Sequence, residues 1–180
     1  MKIVIIMLII TVVAVAAFVG ISSSMNDTAN PSSQISAEDD PNRLMVTISG
    51  EVNRPGTYSL EQGSDLGALF AACGGKTANA DELAYFEDIT LVAKINYYIP
   101  PKYDNGDVCS ALPIEKVNIN SASAETLVAL NGVSSTLSQS IVSYRQSKGS
   151  FRYVEQLMEV SGIGNATYNK LRNYVILKDA

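Results

Sequence analysis

Residues 123–144, SAETLVALNGVSSTLSQSIVSY, and residues 153–174, YVEQLMEVSGIGNATYNKLRNY, read as one unit written twice. Laid over each other at an offset of 30 with no gap, Glu125 meets Glu155, Leu127 meets Leu157, Gly132 meets Gly162 and Tyr144 meets Tyr174. Leu130, Val133 and Ile141 meet Val160, Ile163 and Leu171. Such a repeat lets two units bury each other's apolar faces. Each unit reads as helix, tight turn, helix. In the first, Ser123 caps a short helix from Ala124 to about Leu130. The turn is Asn131-Gly132-Val133-Ser134, and a second helix runs from about Ser135 to Gln146, with Leu137, Ile141 and Tyr144 on its apolar face. In the second unit, helix 154–160 leads to Ser161-Gly162-Ile163-Gly164, and helix 165–175 follows.

The chemistry of this region lies in the turns. Glycine permits a backbone path closed to other residues and lets a phosphate come close. The apolar residue of each turn, Val133 or Ile163, plugs into the core and holds the turn rigid. Backbone N–H groups of the turn and of the next helix then point outward together, an anion site aided by the helix dipole. Two such turns can grip phosphates on both strands of a duplex, a contact that carries no base information. A purely structural turn is the plain alternative for either Gly-containing stretch taken singly.

Charge agrees with this placement. The chain has 180 residues and a net charge of -5, against a whole-protein grip on nucleic acid. Residues 1–113 hold 6 Lys/Arg against 13 Asp/Glu, whereas residues 114–180 hold 7 against 5, a net of +2. A solvated basic face is the bland reading of that excess. There is no histidine, which excludes Ser-His-Asp and Cys-His catalysis, and two cysteines are too few for a structural zinc site. No enzyme activity, metal or cofactor is expected.

At the other end, Ile3 to Ile21 is almost unbroken apolar sequence, interrupted only by Thr11 and Gly20. As a helix it would span about 28 Å, close to the hydrocarbon thickness of a bilayer. It is longer than a secretory signal, and no A-x-A pattern follows; cleavage near Ser22–Ser24 is the alternative. Lys2 precedes the span, and Asp27, Glu38, Asp39 and Asp40 follow it, so the C-terminal bulk is expected outside the cytoplasmic membrane. Residues 22–43, rich in Ser, Asn, Asp and Pro, read as a flexible tether.

Residues 44–111 form a different region. LMVTISGEV alternates as a half-buried strand does, NRPG (Asn53–Gly56) is a turn, and TYSL is a second strand. SDLGALFAACGG then reads as a helix capped by Ser64, with Leu66, Leu69, Phe70 and Cys73 on its apolar face and Gly74–Gly75 as its stop. INYYIPP is a late strand. Cys73 and Cys109 form a plausible disulfide in an exported region, the alternative being that Cys73 is simply buried as a free thiol.

The middle region resembles the SLBB domain, a β-grasp module, on VTISGEVNRPGTYSLEQGSDLGALFAACGGKTANAD and NYYIPPK. Its acidity makes it a poor DNA surface, and a spacer or self-association role fits it better. Residues 116–177 resemble the tandem helix-hairpin-helix domain, and more closely the ComEA family of competence DNA receptors, on VNINSASAETLVALNGV, IVSYRQSKGSF and VEQLMEVSGIG. That resemblance implies capture of extracellular double-stranded DNA for transformation, at the cytoplasmic membrane and with the DNA-uptake machinery. A structural envelope protein whose hairpins bind protein is the alternative. The expected fold is α+β: an N-terminal transmembrane anchor (1–21), a tether (22–43), a small β-grasp-like domain (44–111) and an all-α tandem helix-hairpin-helix domain (112–180).

The expected DNA contacts are Gly132, Val133, Ser134 and Ser135 in the first hairpin and Gly162, Ile163, Gly164 and Asn165 in the second. Arg145, Lys148, Arg152 and Lys170 are the expected basic contacts. The first turn departs from the family's pattern. Ser134 stands where a second Gly is usual and Asn131 where Pro is frequent, and Leu137 and Ala166 stand where a Lys often follows the turn. The second hairpin is therefore expected to bind more strongly. The Cβ of Ser134 would restrict the path, and a side chain at Gly164 would oppose any positive φ needed there.

Overall fold

The computed structural model describes residues 42–104 and 112–179, which combine α and β structure. The expected anchor and nearly all of the tether lie outside the described residues. Among the described residues no helix is long and apolar enough to cross a membrane.

The first strand, β1 (Arg43–Gly50), buries alternate residues Leu44, Val46 and Ile48, as its sequence alternation requires. It pairs antiparallel with β2 (Gly56–Glu61), from Arg43 opposite Glu61 to Ile48 opposite Gly56. On its other side it pairs parallel with β3 (Asn96–Ile99), so the sheet order is β2-β1-β3. Helix α1 (Leu66–Ala72) lays Leu66, Leu69 and Phe70 into the core, followed by Cys73. Its N-cap is Asp65 rather than Ser64: the Asp65 carboxylate accepts the Ala68 amide at 2.8 Å. Ser64 has another task, its carbonyl accepting the Leu91 amide at 2.9 Å.

The expected bridge to Cys109 is not supported. Cys73 is a free thiol with 0% exposure, directed at the carbonyls of Phe70 and Gly75. Its position on the apolar helix face accounts for it without a disulfide, and Cys109 lies outside the described residues.

The repeat folds as two hairpins. The first holds α2 (Ala124–Val128), capped by the Ser123 hydroxyl on the Thr126 amide, and α3 (Ser135–Lys148). The second holds a 3-10 helix (Val154–Glu159) in place of the expected α-helix, then α4 (Asn165–Leu171). Leu127, Leu130, Val133, Leu137 and Ile141 of the first unit are buried, as are Leu157, Val160, Ile163 and Leu171 of the second. A feature with no sequence signal closes the region: β4 (Val117–Asn118) pairs parallel with β5 (Val175–Ile176). Beside it, the Asn120 amide donates to the carbonyls of Phe151 and Leu177, both at 2.9 Å, and its oxygen accepts the Phe151 amide at 2.7 Å.

The sheet region and the hairpin region are joined by polar contacts. Lys116 Nζ lies 2.7 Å from Asp81 Oδ2, with side chains only 4% and 10% exposed. Glu155 accepts the Tyr98 amide of β3, and the Tyr98 hydroxyl donates to Asn173 at 2.8 Å. The amides of Leu177 and Lys178 both donate to the Leu83 carbonyl, at 2.8 and 3.1 Å.

Candidate nucleic-acid interface

The two turns have the same backbone. Gly132 has φ +94° and Gly162 φ +95°, the left-handed region where a Cβ is costly, so glycine is required at both. The next residue is the plug: Val133 is 6% exposed and Ile163 5%, and their amides donate back to Leu130 and Val160. The residue after that is the N-cap of the outgoing helix. Here the expectation about Ser134 and Gly164 needs correction. Ser134 has φ -80° and Gly164 φ -99°, backbone that any residue adopts. The Cβ of Ser134 does not restrict the path, and Gly164 carries no positive φ.

What separates the turns is a hydrogen bond. The Ser134 hydroxyl accepts the Leu137 amide at 3.2 Å. At the matching place in the second hairpin, Gly164 has no side chain, and the Thr167 amide is bonded to nothing among the described residues. The second hairpin thus presents the amides of Gly164, Asn165, Ala166 and Thr167 together, while the first presents Ser134, Ser135 and Thr136. A Cβ added to Gly164 would meet nothing within 4 Å, so the approach to these amides is open.

The two hairpins also cross over each other. Leu137 of α3 is buried, and its Cδ1 lies 3.2 Å from where a Cβ on Gly162 would stand. Lys170 of α4 lies in return against the first turn, its Cδ 3.8 Å from a Cβ position on Gly132. Burial on the other turn explains why the position after the first turn is Leu rather than Lys.

The basic residues divide sharply. Of the seven Lys and Arg after residue 113, five are engaged inside the protein. Arg145 donates to the carbonyls of Ile119 and Ala122 at 2.7 and 2.8 Å, a clamp on the chain leading into α2. Arg152 pairs with Asp88 at 2.7 Å and stacks 4.2 Å over the Phe86 ring. Lys116 pairs with Asp81, Arg172 lies 3.9 Å over Tyr98, and Lys178 lies 5.1 Å over Phe86. Arg145 and Arg152, two of the four expected basic contacts, are thus held by partners within the protein. Among the described residues, Lys148 and Lys170 have no ion pair, hydrogen bond or ring contact. Lys148 ends α3, about 20 Å along the helix from Ser134. Lys170 alone of the four expected cations stands beside a turn.

One titratable group lies buried near this site. Burial pushes the Glu155 carboxyl up to about 7, although the Tyr98 amide, the Tyr168 hydroxyl and the Arg172 charge favour its ionised form. It ties the sheet to α4 through Tyr98 and Tyr168, the latter at 3.0 Å.

Residues 113–176 match the helix-hairpin-helix motif family, and residues 45–86 match the SLBB domain family. The chain is 30% identical over 153 residues to ComE operon protein 1 of Bacillus subtilis (strain 168), covering 75% of this chain and 70% of that protein. It is 43% identical over 70 residues to an uncharacterized protein of Haemophilus influenzae, covering 38% of this chain and 62% of that one. It is also 48% identical over 50 residues to the human endonuclease/exonuclease/phosphatase family domain-containing protein 1. That match takes in 28% of this chain but only 9% of the human protein, and so speaks for one shared module. With both of its modules matched and an alignment running through most of both chains, this chain belongs to the ComEA family, the family of ComE operon protein 1.

Proposed function

We propose that this chain is a membrane-anchored receptor that binds double-stranded DNA outside the cytoplasmic membrane, without reading its sequence, and delivers it to the uptake machinery of transformation. The observation that carries the reading is the pair of glycine turns, alike in φ and each followed by open amides at a helix start. Such amides suit phosphate oxygens and offer nothing that distinguishes one base from another. Residues 1–21 serve as the anchor, 22–43 as the tether, 44–111 as a spacer or self-association domain, and 112–180 as the DNA-binding domain. With so few free cations, one molecule grips weakly, and several on one duplex gain by avidity.

Gel shifts of the purified chain on unrelated duplexes test this reading. Equal binding to all of them is expected. Gly164→Val, which fills the open approach, should weaken binding more than tenfold, since a lost charge-assisted contact costs on the order of 1.5–3 kcal/mol. A folded Gly164→Val chain that binds as the parent does overturns the hairpin mechanism and favours a protein ligand. For the topology, protease added to intact wall-stripped cells should digest both folded regions; a protected C-terminus overturns the orientation.

A further inference from the structure

We propose that Lys170, although it belongs to the second hairpin, supplies the cation for the phosphate held by the first. This rests on the DNA-binding reading above and assigns its one well-placed charge. Lys170 lies in the last turn of α4, six residues beyond Gly164 and about 9 Å along the helix from its own turn. Its Cδ instead lies near the first turn, 3.8 Å from a Cβ position on Gly132. The ammonium is two bonds beyond Cδ, within reach of the first turn.

The first turn has no cation of its own. Ser135 and Thr136 are uncharged, and Leu137 is buried against Gly162. Arg145 is spent on two carbonyls, and Lys148 sits at the far end of α3. The Ser134 hydroxyl also removes one amide from this turn. A phosphate there would meet neutral donors alone without Lys170. Among the described residues Lys170 has no carboxylate partner, so its charge is available, and its Cδ already lies beside the turn it would serve. The second turn, with its extra open amide, has less need of a cation. Each turn is thus completed from across the hairpin boundary: Leu137 packs the second, and Lys170 charges the first.

The test is a pair of double-mutant cycles on the full chain, read by fluorescence anisotropy with two unrelated duplexes over a salt series. Ser134→Asp and Gly164→Asp each place a carboxylate at one turn while leaving a good helix cap. Lys170→Gln alone should weaken binding roughly three- to tenfold and lower the salt slope by about one, and Lys170→Arg should restore both. In the Ser134→Asp background, Lys170→Gln should change affinity less than about twofold with no change of slope; in the Gly164→Asp background its full effect should remain. Loss of the effect with Gly164→Asp but not Ser134→Asp means that the lysine serves its own turn, and an equal effect in both means that it serves neither. Either result overturns this assignment and leaves DNA binding standing. A parent chain that binds no duplex overturns both.

Discussion

The Ser134 hydroxyl holds the Leu137 amide at 3.2 Å, and this bond takes from the first hairpin a donor that the second keeps free at Thr167. Exchanging the two cap residues should therefore move binding and stability in opposite directions. Ser134→Gly frees the Leu137 amide and should tighten DNA binding about two- to fivefold while costing a few tenths of a kcal/mol of stability. Gly164→Ser should do the reverse, capping Thr167 and weakening binding. Anisotropy and urea melts on both variants decide it; parallel changes in the two quantities would sink the idea.

Gly162 and Gly164 are two residues apart in the chain, yet they differ in what they require. Gly162 has φ +95° and faces Leu137 at 3.2 Å, whereas Gly164 has ordinary extended backbone and open space. Gly162→Ala should cost about 1–2 kcal/mol from the left-handed backbone alone. Gly164→Ala should cost less. Equal melting temperatures for the two variants would show that the positive φ is not held in solution.

Lys116 and Asp81 form the least exposed ion pair of the joint between sheet and hairpins. Burial lowers the lysine pKa even with Asp81 beside it, a sign of how completely the pair is withdrawn from water. Lys116→Ala leaves a buried carboxylate unpaired and should destabilise the chain by about 3–5 kcal/mol. A loss below about 1 kcal/mol in urea unfolding, typical of exposed pairs, would mean that the pair is solvated.

Glu155 gives a pH dependence of known sign. Its carboxyl is pushed up to about 7 in the folded chain, against roughly 4.3 for a free Glu. Between those values the folded chain holds a proton that the unfolded chain has released, so this group's contribution to stability falls as pH rises through the window and then levels off. The fall is bounded at about 1.4 kcal/mol per pH unit. Glu155→Gln keeps an oxygen for the Tyr98 and Tyr168 donors, so its melting temperature should decline less between pH 5 and 7 and exceed the parent's at pH 8. Identical pH profiles for the two proteins would rule this out.

Much of this was legible in the sequence. The offset of 30 pairs the buried residues correctly, from Leu127 with Leu157 to Ile141 with Leu171. Apolar periodicity and glycine turns are local signals, and they survive folding. What the sequence leaves unseen concerns polar side chains, whose partners lie far along the chain. Arg145 and Arg152 count as basic in a tally of charge, but one clamps carbonyls 26 and 23 residues away and the other pairs across 64 residues. The Lys170–Gly132 contact spans the repeat and leaves no mark in either unit. The open Thr167 amide was within reach of the alignment, which sets Thr167 opposite Leu137 and Gly164 opposite Ser134. The two-residue strands β4 and β5 are too short for any periodicity to show.

The Asn120 clasp fixes the order in which this protein can be finished. Asn120 needs the Leu177 carbonyl, Val117 sits opposite Val175, and the Leu177 and Lys178 amides reach back to Leu83. A chain emerging N-terminus first can form β1, β2 and α1 early, because those contacts lie close in sequence. It cannot close the hairpin region, or lock that region to the sheet, until residues 175–178 are free of whatever conducts the chain. Loop closure over such distances carries an entropic cost that nothing repays until the last contacts form. Completion of the fold thus waits on residues 175–178, and until they are in place the two turns lack the frame that aims them.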